Sequence, residues 1–182
     1  TGFTEFMNKK KLGRTGIQLS AWLLGVFCFA DSLSPLFVGT TMKKLTDNAR
    51  ISREKLAYIS DSTGACISVL YPFTGWSSYL AGLSIGIGCI TSAEQGQSLM
   101  FRAIPFNFYA IFTVLMVFFI AIGLIKDYGP MKQAEKRTMD TGKVLRDGAN
   151  PLISNELNTM KKSINIKTRI FLNFVFPTIM LF

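Results

Sequence analysis

Four apolar blocks separated by basic stretches dominate this sequence: residues 17 to 42, 56 to 90, 103 to 125, and a last one from about 170 to Phe182. Three exceed the roughly 18 to 20 residues with which an α-helix crosses a hydrocarbon core of about 30 Å. The chain therefore reads as an all-α integral membrane protein, with the lipid bilayer as its first partner. It begins at Thr1 and ends on Phe182 inside "FLNFVFPTIMLF", so both ends look cut and a fragment of a longer chain is expected.

The charge agrees. The net +9 arises from Lys and Arg gathered between the blocks and almost absent within them, the positive-inside pattern. A nucleic-acid surface is disfavoured because no aromatic platform is interleaved with these basic residues. The chain has no histidine, and Cys28, Cys66 and Cys89 show no Cys-x-x-Cys spacing. A zinc or haem site is thus not expected, and the cysteines read as small apolar packing residues. Without histidine, and with no base beside Ser32 or Ser62, nucleophilic catalysis lacks its usual activation, so no enzyme is expected.

Basic clusters flank block one on both sides, "NKKKLGR" at 8–14 and "KKLTDNARISREK" at 43–55. A simple spanning helix would put them on opposite faces of the membrane. A re-entrant hairpin over 17–45 keeps both on the cytoplasmic side, turning at "ADSLSP", where Ser, Asp and Pro35 all break helices. The arm before Ala30 is long enough, at 1.5 Å per residue, to carry the tip about 20 Å deep. Irregular backbone at that depth persists only when buried in protein or lining a cavity.

Block two begins with a helix capped by Ser52 and meets "DSTGA" (61–65), where Asp, Ser, Thr and Gly are poor helix formers. It resumes beyond and is too long for one straight crossing, so an interrupted helix over 53–90 is expected, broken at 61–65. Pro72, Gly75, Trp76 and Tyr79 would lie near the far interface. "TSAEQGQS" (91–98) has no Lys or Arg and reads as an outside loop containing Glu94. Ser84, Gly86 and Gly88 read as close helix packing. A transmembrane helix over 103–125 then returns the chain to a basic, solvated cytoplasmic linker at 126–168, in which short amphipathic helices can form, and 169–182 would start a second, truncated transmembrane repeat.

Asp31 and Asp61 are the only carboxylates deep in the apolar blocks. Each costs about 2.5 to 3.5 kcal/mol at mid-membrane, so a chain keeping two has a use for them. Capping helix ends or bonding a neighbouring helix is one use. Binding a small hard cation is the other, through Asp31, Ser32, Ser34, Asp61, Ser62 and Thr63, with carbonyls freed at the helix break. Thr40 and Thr41 could extend that set or simply bond their own helix.

The stretch "ADSLSPLFVGTTMKKLTDNARISREKLAYISDSTGACISVLYPFTGW", continuing to "DYGPM", resembles the NhaC-type sodium/proton antiporters of bacteria and archaea, within the larger ion transporter superfamily. The likeness is specific over 22–80 and looser to about 137. It implies inverted repeats, each with a re-entrant hairpin and an interrupted helix, and alternating access across the cytoplasmic membrane of a prokaryote. Residues 1–125 would end the first repeat. By position, Asp31 matches the hairpin-tip acid and Asp61-Ser62-Thr63 the broken-helix motif. The common tip reads Asp-Asp-Tyr followed by Asn; Ala30, Asp31, Ser32 and Ser34-Pro35 stand there instead, which leaves cargo and proton stoichiometry open. The resemblance implies sodium and protons as transported or coupling ions with no other cofactor, and the remainder of the same transporter chain as partner, with a homodimer as an option. Ion-coupled malate/lactate-type exchange is the alternative within the family. A non-transporting membrane scaffold is the alternative outside it.

Overall fold

The computed structural model describes residues 12–27 and 33–149. Among them are seven α-helices and no strand: α1 (Arg14–Phe27), α2 (Ser34–Asn48), α3 (Arg53–Leu70), α4 (Gly75–Leu83), α5 (Ala93–Ala103), α6 (Phe108–Ala121) and α7 (Gly129–Thr141). A 3-10 turn at Ile104–Phe106 joins α5 to α6. The expected linker from 150 and the segment 169–182 lie outside the described residues.

α3 is the central post, and α1, α2 and α6 pack around it. Buried Ile17 and Ala21 of α1, Val38, Met42 and Leu45 of α2, Leu56 and Ile59 of α3, and Val117 of α6 form one core with Ile51. The apolar positions of α2 recur at intervals of three or four, so one stripe of that helix is buried against α3. Trp22 of α1 ties this core to α6: its indole N–H donates to the Val114 carbonyl at 3.2 Å, and its ring lies 5.0 Å from that of Phe118.

α1 and α2 fold back on each other. Their outer ends lie together against α7, where Arg14 pairs with Glu135 and Arg50 donates to the Met139 carbonyl at 3.4 Å. Their inner ends both meet the middle of α3. The two helices expected as hairpin arms thus pack against each other; the expected tip, with Asp31 and Ser32, lies outside the described residues.

Three expectations on the elements need correction. α3 runs unbroken through 61–65, because those small residues let neighbouring helices approach closely, and this packing outweighs their poor helix propensity. The interruption instead falls at 71–74, where Pro72 has no N–H to donate and Thr74 caps α4 by accepting from Ser77 N–H. Second, 91–98 is no open loop: Ser92 caps α5, and the Gln95 carboxamide accepts from Thr91 N–H at 2.8 Å. Gly86 and Gly88 adopt positive φ (89° and 62°) in the turn before it, so they shape a turn rather than a helix contact; Cys89 there is exposed. Third, helix covers only 108–121 of the 103–125 segment, since Pro105 and Asn107 interrupt it.

No single described helix is long and apolar enough to cross a membrane. The pair Ala93–Phe106 and Phe108–Ala121 meets that test together, bent by 49° at the break. α5 reaches α4 through Gly96, where a Cβ would lie 2.4 Å from the Ala81 carbonyl oxygen. Glycine to alanine inside a helix ordinarily stabilises by about 1 kcal/mol. Here the sign reverses: Gly96→Ala is expected to destabilise by roughly 1–3 kcal/mol through overpacking against backbone, seen as a lowered melting temperature. An unchanged or raised value would mean that the two helices are not in contact.

Candidate ion-binding site

The strongest polar anomaly lies where α1, α2 and α3 converge. Ser34 opens α2, followed by Pro35, whose fixed φ and missing N–H suit a first helical turn. Its side chain is fully buried, and so is that of Thr63 at mid-α3. Two glycines make this convergence close. A Cβ at Gly64 would lie 3.0 Å from Ser34 Oγ, and one at Gly25 of α1 would lie 3.1 Å from Thr63 Cβ and Cγ2. Neither hydroxyl oxygen has a hydrogen-bond partner among the described residues. A buried hydroxyl left this way costs about 1–3 kcal/mol. Ser34 faces α3 at Gly64 and Thr63 faces α1 at Gly25, so two hydroxyl oxygens, hard donors by type, lie buried where these helices converge.

Asp61 takes a different direction. It is exposed, Ser62 is half-buried, and Asp61 lies two residues, or about 200°, around the helix from Thr63. The fold thus sets Asp61 and Thr63 on opposite flanks of α3, where sequence alone grouped them. Asp61 lies on a lengthwise face with Ala57, Ala65 and Val69, all exposed, each one turn from the next. Because α3 is continuous here, the backbone carbonyls expected to be freed at 61–65 remain within the helix.

Thr40 and Thr41 stand apart, about 9–10 Å along α2 from Ser34 at the usual helical rise. Thr40 is exposed and donates to the Leu36 and Phe37 carbonyls at 2.8 and 3.1 Å, so its hydroxyl bonds its own helix. Among the described residues no three His, Cys, Asp or Glu side chains converge on a point that could hold a metal ion.

A second polar cluster, which sequence reasoning missed, lies at the foot of α3. Lys55 is buried, with Nζ 2.7 Å from Asp127 Oδ2 and 3.8 Å from Glu135 Oε2. Glu135 is buried too; it pairs with Arg14 and accepts the Ser52 N–H at 2.8 Å. Arg137 reaches Glu54 at 2.9 Å beside it. This seats α7, a short amphipathic helix of the kind expected in this segment, on the bundle through Glu135 and Arg137. The available signal was the spacing of Met131, Ala134, Glu135 and Thr138, one helical face that happens to carry an acid.

Comparison with known proteins adds the family. A family model described as the Na+/H+ antiporter family matches residues 69–181. An uncharacterized protein of Haemophilus influenzae is 38% identical over 122 residues, covering 65% of this chain and 24% of that protein. The chain therefore spans about a quarter of the length of the curated relative it matches. No solved structure matches. The family match begins at Val69, just past the Ser34–Thr63 crossing.

Proposed function

This chain belongs to the Na+/H+ antiporter family, and from that membership we propose that the whole protein exchanges sodium for protons across the cytoplasmic membrane of a prokaryote, as an NhaC-type secondary transporter working by alternating access. Family membership carries the proposal. The fold adds support in the two partnerless buried hydroxyls, and in the large apolar side chains that face outward, among them Phe106, Phe108, Tyr109, Phe112 and Leu115. So much exposed apolar surface suits contact with lipid or with further parts of the transporter.

The sodium ligands proposed on the hairpin side are Asp31, Ser32, Ser34 and Thr63. Asp61 and Ser62 face the other flank of α3, toward whatever the remainder of the chain brings there. A carboxylate binds either a proton or a hard cation, and that exclusivity is the least that exchange requires. Alternating access then carries the loaded site from one side of the membrane to the other.

Vesicles containing the full-length protein test this directly. An imposed sodium gradient is expected to drive a pH change of opposite sense to the sodium flux, with no response to potassium. A pH change that needs malate or lactate would transfer the assignment to organic-acid exchange. No sodium-driven change in well-inserted protein would leave the scaffold reading standing instead.

A further inference from the structure

Beside the foot of α3, where α6 ends and α7 begins, a cleft of about 470 Å³ opens between α1, α6 and α7. Its size falls within the roughly 300–1,000 Å³ usual for small-ligand clefts. One wall is apolar, made by Ile120, Ala121, Ile125 and Met139. The rim is cationic: Lys126, Lys132 and Lys136 line it and are exposed. Lys132 and Lys136 stand one turn apart on α7, and so on one face of it. The two acids of the cleft, Asp127 and Glu135, are engaged by Lys55 and Arg14, whereas the three rim lysines have no ion-pair partner among the described residues.

We propose that this cleft holds the phosphate of an anionic phospholipid of the cytoplasmic leaflet. The charge excludes the cargo cation, which three uncompensated lysines would repel. The setting selects a lipid over a free anion. The apolar outer surface of α6 continues through exposed Leu124 and Ile125 into the apolar wall, and exposed Tyr128 lies just beyond, a residue type favoured at the membrane interface. A phospholipid can thus lay its acyl chains along α6 while its phosphate meets the lysines, as basic pockets on the cytoplasmic side commonly allow. The larger cleft nearby, about 750 Å³, differs: its Arg53 and Arg137 are already paired, with Asp47 and Glu54, which leaves Arg146 as its one cation without an ion-pair partner among the described residues.

The inference rests on the membrane placement proposed above, but it stands or falls separately from sodium/proton exchange. The experiment compares the full-length protein in phosphatidylcholine nanodiscs with and without phosphatidylglycerol, reading melting temperature and lipid retention by native mass spectrometry. Phosphatidylglycerol is expected to raise the melting temperature and to stay bound. In the triple variant Lys126→Ala, Lys132→Ala, Lys136→Ala that preference drops about fivefold per lysine, on the order of a hundredfold in all. The single charge reversal Lys132→Glu, at an exposed position, repeats the test if the triple variant melts lower in phosphatidylcholine alone. An undiminished phosphatidylglycerol response in both variants overturns the site. Inorganic phosphate on the detergent-solubilised protein is expected to do nothing; a shift matching that of the lipid overturns the headgroup assignment. Sodium-driven proton movement in phosphatidylcholine vesicles reports on exchange independently of either result.

Discussion

Asp61→Asn is expected to reduce sodium-driven proton movement to background while leaving insertion and melting temperature as they were. The two effects separate because of where the residue stands. Asp61 is exposed on α3 and makes no hydrogen bond or ion pair among the described residues, so an isosteric amide removes nothing that holds the described bundle together. The amide keeps one oxygen donor but cannot take up a proton in exchange for an ion. Transport assayed in vesicles, beside the yield and melting of the same preparation, checks it. Exchange at the wild-type rate would remove Asp61 from the ligand set. Asp31→Asn, measured alongside, asks the same question of the hairpin tip.

The largest loss of stability is expected from Glu135→Ala. The carboxylate is buried, pairs with Arg14, approaches Lys55 and accepts the Ser52 N–H at 2.8 Å. Taking one partner from a buried ion cluster strands the others and typically costs about 3–5 kcal/mol. Glu135→Gln should cost less, because its carbonyl oxygen still accepts from Ser52. Thermal unfolding of the three proteins under one condition would rank them wild type, Gln, Ala. Equal melting temperatures for wild type and Ala would mean that α7 is not seated on α3 in solution.

Much of this was legible in the sequence, and what was not has definite physical causes. The basic clusters flanking 17–42 pointed to paired arms, and α1 and α2 do lie side by side with their outer ends together. Ser52 announced its helix start through capping, whereas Pro35, read in the sequence as a helix breaker, stands in the first turn of α2. The continuity of 61–65 was hidden because Ser, Thr and Gly weaken a helix and also permit a close crossing, and only the neighbours decide which role applies. Here the neighbours are Ser34 over Gly64 and Thr63 against Gly25. The α5 start was readable after all, since Ser92-Ala93-Glu94-Gln95 has the spacing of a capping box. For the candidate site, residue types led the sequence reading to group Ser34, Thr63 and Asp61. Their division between two flanks of α3 depends on the helix being unbroken, so a reading that broke the helix could not reach it. Glu135 was hidden by its charge, because an acid on an amphipathic helix looks solvated until an amide and two cations are found around it.

Glu135 completes on α3 the second half of a capping box, taking the cap-residue N–H that a glutamate within the same helix would otherwise take. Because that N–H sits at the terminus of α3, α7 cannot slide or roll against the post without releasing it. The feet of α1 and α3 are thus both tied to α7 through the one Glu135 carboxylate. The two turns farther along differ in kind: Gly86 and Gly88 hold left-handed backbone within 84–92, whereas 71–74 is tied down by the Thr74 hydroxyl donating to the Ser68 carbonyl at 2.7 Å.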